Sequence, residues 1–201
     1  MGDPHHMNDK LLFGVGINDL GLSSKDPFFQ CWRNMLDRCY GPAERKSFFC
    51  YEGCEVAREW LVLSVFREWM LRQNWREKQL DKDILFPGNK LYSPEACVFV
   101  DAQTNTVLNT QLKSRGKYPL GVSFDKSRGC YQAQIKRNCR AINLGRFSNP
   151  MDAHTAWQRE KAAIIREIAV KQTDWRVKAA LFGRADQLDT DRMLNMETTK
   201  L

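Results

Sequence analysis

Gly121-Val122-Ser123-Phe124, Cys130-Tyr131-Gln132-Ala133-Gln134-Ile135-Lys136-Arg137 and Ala141-Ile142-Asn143-Leu144-Gly145-Arg146-Phe147 decide the fold of this chain. They are three short strand signals, separated by Ser127-Arg128-Gly129 and by Asn138. Asn149 then offers a helix cap, Pro150 occupies the first helical position and Asp152 lies in the first turn. Ala153, Ala156, Trp157, Ile164, Ile165 and Ile168 give a helix over about 150–169 one apolar face. Residues 120–170 therefore predict a three-stranded antiparallel sheet packed on one helix.

The middle strand sets the polarity of that sheet. Ala133 and Ile135 alternate with Gln132, Gln134 and Lys136, so a period of two puts the apolar pair on one face and the polar three on the other. The apolar face suits the Trp157/Ile164 side of the helix, which leaves the polar face to solvent. Charge is concentrated in the same window. Between Lys113 and Phe147 stand nine Lys and Arg against the single acid Asp125, a net +8, which leaves −1 for the rest of a chain totalling +7. Such a concentration on a small module is the footprint of a phosphate-backbone binder. Lys126, Arg128, Arg137, Arg140 and Arg146 fall at turns or strand ends, suited to phosphates, while Gln132, Gln134 and Lys136 suit base edges.

Upstream, the pattern is mixed. Residues 1–7 contain His5 and His6 and read as an expression-vector remnant, which leaves His154 as the only natural histidine. Residues 8–25 read as loop with one short strand at most. Asp26-Pro27 starts a helix carrying Phe28, Trp32, Met35, Leu36 and Cys39, and Gly41-Pro42 ends it. A second helix, apolar around much of its circumference and so largely buried, is expected over about 56–72, with Trp60, Leu61, Leu63, Val65, Phe66, Trp69 and Met70. Leu80–Leu85 and Cys97–Val100 read as strands, and Asp101 as the cap of a helix over about 102–112. Residues 8–112 thus form a helical and ββα module, 113–119 a linker, and 171–201 a terminal helix over about 174–186, capped by Thr173, with a mobile tail from about 188. The fold class is α+β.

The segment Gly121–Lys126, with Tyr131-Gln132-Ala133-Gln134-Ile135, Leu144-Gly145-Arg146-Phe147, Ala153 and Ala156, resembles the APETALA/ethylene-response-factor DNA-binding domain, which phage and prophage proteins also carry. The resemblance covers about 50 residues. It implies that the sheet enters the major groove of double-stranded DNA, with Ser123, Lys126, Gln132, Gln134, Lys136 and Arg146 as contacts. Plant members have Arg where this chain has Ser123, so their base preference does not carry over.

Residues 27–110 resemble phage-encoded proteins of the HNH endonuclease type. The matching residues are Trp32, Met35, Arg38-Cys39-Tyr40, Gly53-Cys54, Trp60, Phe66, Leu80-Asp81-Lys82-Asp83 and Tyr92-Ser93-Pro94-Glu95-Ala96-Cys97. That chemistry needs a strand-borne base and a divalent ion on the scissile phosphate. The resemblance implies Asp81, Lys82 and Asp83 as the catalytic set, with Asp81, Asp83 and Asn105 as oxygen ligands for Mg²⁺ or Mn²⁺. Two departures stand out: Lys82 occupies the histidine position, and Ala96 stands where related chains commonly have Asn. A lysine is protonated at neutral pH and is a poor base.

Other function classes recede. No apolar run approaches the roughly 18 residues of a membrane helix, and no leader begins the chain, so a soluble protein of the bacterial host cytoplasm is expected. The seven cysteines read as reduced thiols, not a disulfide framework, and Cys50 with Cys54 lacks the second pair that would signal zinc. No organic cofactor is expected. The expected partner is double-stranded DNA, bound with Mg²⁺- or Mn²⁺-dependent cleavage or without it, as by a regulator. A third expectation is an inhibitor that sets its basic surface against an acidic protein.

Overall fold

Asp26 closes the start of the first helix as its residue type predicts: its carboxylate accepts from the Phe28 and Phe29 amides at 2.8 and 3.1 Å, with Pro27 next in line. This computed structural model describes residues 11–42, 51–108, 117–137 and 140–201. The expected vector remnant, Lys113, Arg115, Asn138 and Cys50 lie outside the described residues. The fold is α+β, and the chain divides between Ala102 and Gln103 into two compact units, rather than near residue 113.

In the first unit, α1 (Pro27–Tyr40) turns Trp32, Met35, Leu36 and Cys39 inward. The expected helix over 56–72 is broken into pieces. β1 (Glu55–Val56) pairs in parallel with β3 (Leu91–Tyr92), a 3₁₀ turn covers Arg58–Leu61, and α2 spans Leu63–Leu71. The break has a backbone cause. The Ile17 amide donates to the Leu61 carbonyl and the Leu63 amide to the Ile17 carbonyl, both groups a continuous helix would use itself. Val62 is left extended, and Asp19, from far upstream, caps α2 by accepting from the Ser64 amide at 3.0 Å. The α2 circumference is also less buried than expected: Val65 is 40% and Leu71 51% exposed.

The expected strand over 80–85 is shorter for an equally local reason. β2 (Gln79–Asp81) pairs antiparallel with β4 (Val98–Val100). It stops at Asp81, whose carboxylate accepts from the Asp83 and Ile84 amides at 2.8 and 2.7 Å and bends the chain into a turn. Trp32, Trp60, Phe66, Leu63 and Tyr92 form the centre of this unit's core. The Trp60 ring meets Phe66 edge-on at 5.2 Å, and the Trp32 indole N–H donates to the Trp60 carbonyl at 2.7 Å, whereas the buried Trp60 indole N–H has no acceptor among the described residues.

In the second unit, β5 (Val122–Asp125), β6 (Cys130–Arg137) and β7 (Arg140–Phe147) form an antiparallel sheet in chain order. α4 (Pro150–Val170) packs on it, its start capped by the Asn149 side chain, which accepts from the Asp152 amide. Ala133 and Ile135 are 0% and 5% exposed, and Trp157, Ile164 and Ile168 on the helix are buried as well. At Gly121 the sheet and helix come so close that a Cβ would lie 2.0 Å from the Trp157 ring. Its φ of +76° also favours glycine. A short α3 (Ala102–Val107) precedes the sheet, and Thr104 accepts from the Gln172 side chain.

Two expectations about this unit change. The described end of the 113–119 linker is not loose: Pro119 is buried and the Tyr118 ring packs against Tyr131 at 5.3 Å. The last helix is longer than expected and the tail beyond 188 is not free. α5 runs Trp175–Met193, capped by Asp174 instead of Thr173, with Val177, Leu181, Ala185, Leu188 and Asp191 inward. The residues that follow are held by a buried polar chain. The His154 Nδ1 lies 2.9 Å from the Leu120 carbonyl, and its Nε2 accepts from the Thr198 amide at 3.0 Å. The Thr198 hydroxyl donates to Asp191 at 2.6 Å, and the Gln158 amide donates to both the Met196 carbonyl and the Thr198 hydroxyl. Sparse apolar content was a poor guide because hydrogen bonds, not apolar burial, tie this segment down.

Candidate nucleic-acid interface

The register of the sheet arranges its outward face in rungs. Ser123, Gln132 and Arg146 lie side by side across the three strands. Gln134 stands opposite Asn143, and Lys136 opposite Ala141. Gln134 and Lys136 are exposed and Gln132 half-buried, the orientation expected from the alternation. The Gln134 amide donates to the Gln132 carbonyl oxygen at 3.2 Å, which pre-orders the two along the strand.

Asn143 joins this face through a bulge. Ala133 faces Gly145 while Gln134 faces Asn143, so Leu144 is an extra residue on β7. Gly145 takes a φ of +130° there, and its amide donates to the Asn143 side chain at 2.9 Å. Sequence reasoning overlooked Asn143 because counting by twos from Arg146 puts it on the wrong face. The glycine was the available signal for a bulge.

The expected contact residues fall into two groups. Ser123, Lys126, Lys136, Arg140 and Arg146 are exposed, and none of these four cations has a carboxylate partner among the described residues. Arg137 differs. It shares the parity of Ala133 and Ile135, and its guanidinium bonds Glu167 at 2.6 Å and approaches Glu160 at 3.7 Å, both on α4. It bolts the sheet to the helix and is not part of the outward face. Arg128 bonds Asp125 at 3.0 Å within the β5–β6 turn. Hydrogen bonds from Ser127 and Arg128 hold the Asp125 carboxyl down at about 2, so the turn keeps its one negative charge. Chemically, the outward face offers amides, a hydroxyl and unpaired cations. These groups pair with base edges and phosphates.

The HNH-type residues are placed very differently. Lys82 is only 3% exposed. Its ammonium donates to both Asp83 oxygens at 2.7 and 2.8 Å and to the Asn89 carbonyl at 2.7 Å, and it lies 5.8 Å from the Tyr92 ring centre. Burial works against this charge, but the Asp83 hydrogen bond and charge outweigh it and the Lys82 pKa moves up. A lysine so held is no base. It also does not present its charge to a phosphate.

Asp81 is engaged in capping its turn. Burial raises its pKa, against the pull of the Ile84 and Asp83 amides. Asn105 lies on α3, in the second unit. A divalent ion needs free oxygen ligands, whereas both Asp83 oxygens already clasp an ammonium and Asp81 gives one oxygen, Oδ1, to two amides. No group of three or more His, Cys, Asp or Glu suited to a metal occurs among the described residues. Cys39, Cys54 and Cys97 are buried. Burial pushes the Cys97 thiol up to about 12, far from a reactive thiolate.

No family model, no curated protein and no solved structure matches this chain. Among the described residues, no helix is long and apolar enough to cross a membrane.

Proposed function

We propose that this protein binds double-stranded DNA through the outward face of β5–β7, with Ser123, Gln132, Gln134, Lys136 and Asn143 towards the bases and Lys126, Arg140 and Arg146 towards the phosphates. One observation carries this reading: Lys126, Lys136, Arg140 and Arg146 lack acidic partners among the described residues, while Arg137, on the inward face, is paired twice. A solvent-facing concentration of unpaired charge costs folding energy through self-repulsion unless an anion neutralises it. The resemblance to the APETALA/ethylene-response-factor domain points the same way.

Fluorescence anisotropy with a labelled duplex tests the proposal. Affinity is expected to fall by roughly tenfold to a hundredfold between 50 and 200 mM salt, with about two to four phosphates neutralised by the unpaired cations. A Lys136→Ala/Arg146→Ala double variant should bind at least about tenfold more weakly. Binding that neither salt nor the double variant weakens overturns the proposal.

Of the two forms this binding can take, the non-cleaving one is favoured by the engagement of Asp81 with backbone amides and of Asp83 with Lys82. Plasmid incubated with Mg²⁺ or Mn²⁺ is expected to stay supercoiled. Nicking that is lost in both Asp81→Ala and Asp83→Ala would restore the endonuclease reading.

A further inference from the structure

A cleft of about 290 Å³ lies in the first unit, between one face of α1 and the segment that leads into β2. Asn34 and Arg38 come from α1, Glu77 and Lys78 from the segment before β2, and Met70, Leu80, Phe99 and Trp75 supply its apolar lining. The volume sits at the small end for ligand sites, near roughly 300 Å³, enough for one small molecule.

Arg38 is the unusual group. Burial disfavours its charge, but the neighbouring Tyr92, Tyr51 and Cys31 outweigh burial and the Arg38 pKa moves up. Its guanidinium donates to the Tyr92 hydroxyl at 3.4 Å and lies 5.5 Å from the centre of the Tyr51 ring. No carboxylate among the described residues pairs with it. The C-terminal turn of α1 offers it favourable carbonyl dipoles, but a guanidinium has five donors and most of these remain unassigned. Arg38 and Lys78 outnumber Glu77, the one acid of the lining, so the cleft keeps a net positive charge that suits an anion from outside. Lys78 supplies a second positive charge across the cleft, and Asn34 an amide with no partner among the described residues.

The floor selects the rest of the ligand. Phe99 packs on Trp69 at 5.7 Å and Trp75 on Phe28 at 5.1 Å, so the aromatic walls are braced from behind. Braced aromatics beside cations suit a planar ring attached to a phosphate. We propose that this cleft binds a single nucleotide unit, its phosphate held by Arg38 and Lys78 and its base laid against Trp75 and Phe99. The site is independent of the duplex-binding face, and its contents come either from free mononucleotide or from a phosphorylated strand end.

Isothermal titration of the full chain with adenosine monophosphate, adenosine, inorganic phosphate and a short 5′-phosphorylated single strand tests this. The monophosphate is expected to bind at least about tenfold more tightly than adenosine or phosphate alone, because both halves of the site then contribute. Lys78→Ala and Arg38→Gln should each weaken it by about tenfold or more, with duplex affinity unchanged. If Arg38→Gln fails to fold by thermal melting, Lys78→Ala decides the matter, since Lys78 lies outside the core. Tighter binding of the phosphorylated strand than of the monophosphate assigns the site to a strand end, and the reverse assigns it to free nucleotide. No heat with either ligand, or equal affinity in the wild type and in Lys78→Ala, overturns the proposal.

Discussion

The turn after β2 and the outward face of β5–β7 both gather charged and polar side chains, yet they use them in opposite ways. At the turn, Lys82 is buried against Asp83, the Asn89 carbonyl and the Tyr92 ring, and Asp81 caps the chain. On the sheet, Lys136 and Arg146 stand in solvent without acids. The contrast teaches that a charged residue in a motif is not yet a functional group. Charge engaged inside the fold stabilises the fold, and only charge left unpaired is free to meet a ligand.

The comparison depends first on the sheet being held rigidly against α4. Gly121→Val should break that support. It forces a branched side chain into the Trp157 ring at a backbone angle valines avoid, and is expected to cost about 3 kcal/mol or more. Thermal melting followed by tryptophan fluorescence reads this directly, and a melting temperature within a few degrees of wild type would contradict the close approach.

Next comes a direct contrast between the two lysines. Lys82→Met removes a buried ammonium with three acceptors and should destabilise by about 2 kcal/mol in urea unfolding. Lys136→Met should change stability by less than about 0.5 kcal/mol. Similar values for the two would erase the distinction drawn here.

A third contrast lies within one sheet, between β7 and β6. Arg146→Ala is expected to lower duplex affinity by about 1–2 kcal/mol and to flatten its salt dependence. Arg137→Ala should leave the salt dependence unchanged, because its charge is neutralised by Glu160 and Glu167. Anisotropy titrations of both variants at two salt concentrations decide it.

The smallest effect tests a half-buried cation that opposes the fold. Burial lowers the Lys161 pKa to about 8, close to the Trp157 ring. In the unfolded chain the group binds its proton up to about 10.4. Between those values the unfolded state holds more protons, so raising the pH stabilises the protein; below about 8 the full penalty remains. Lys161→Met should therefore stabilise by about 1 kcal/mol at neutral pH, with the gain shrinking as the pH approaches 10. A gain that is constant with pH would assign it to packing instead of charge.

Much of the second unit was legible in the chain. The cap at Asn149, the three strand signals and the outward direction of Gln132, Gln134 and Lys136 follow from local chemistry and a period of two. The parity of Arg137 was legible too, but its partner Glu167 lies 30 residues away. The first unit was harder. Ile17 interrupts the expected long helix at Val62, and Asp81 curls a strand signal into a turn, each by a competing hydrogen bond that periodicity does not register. The C-terminal segment was misjudged because its hold on the fold passes through His154, Gln158 and Asp191, not through apolar residues.

By itself, the sequence determined which faces are apolar, where helices begin and where positive charge accumulates, because these depend on residues a few positions apart. Only the tertiary structure decided which charges remain available. Pairing depends on distance in space, and Arg137 meets its acids, as Lys82 meets the Asn89 carbonyl, only after the chain has folded back on itself.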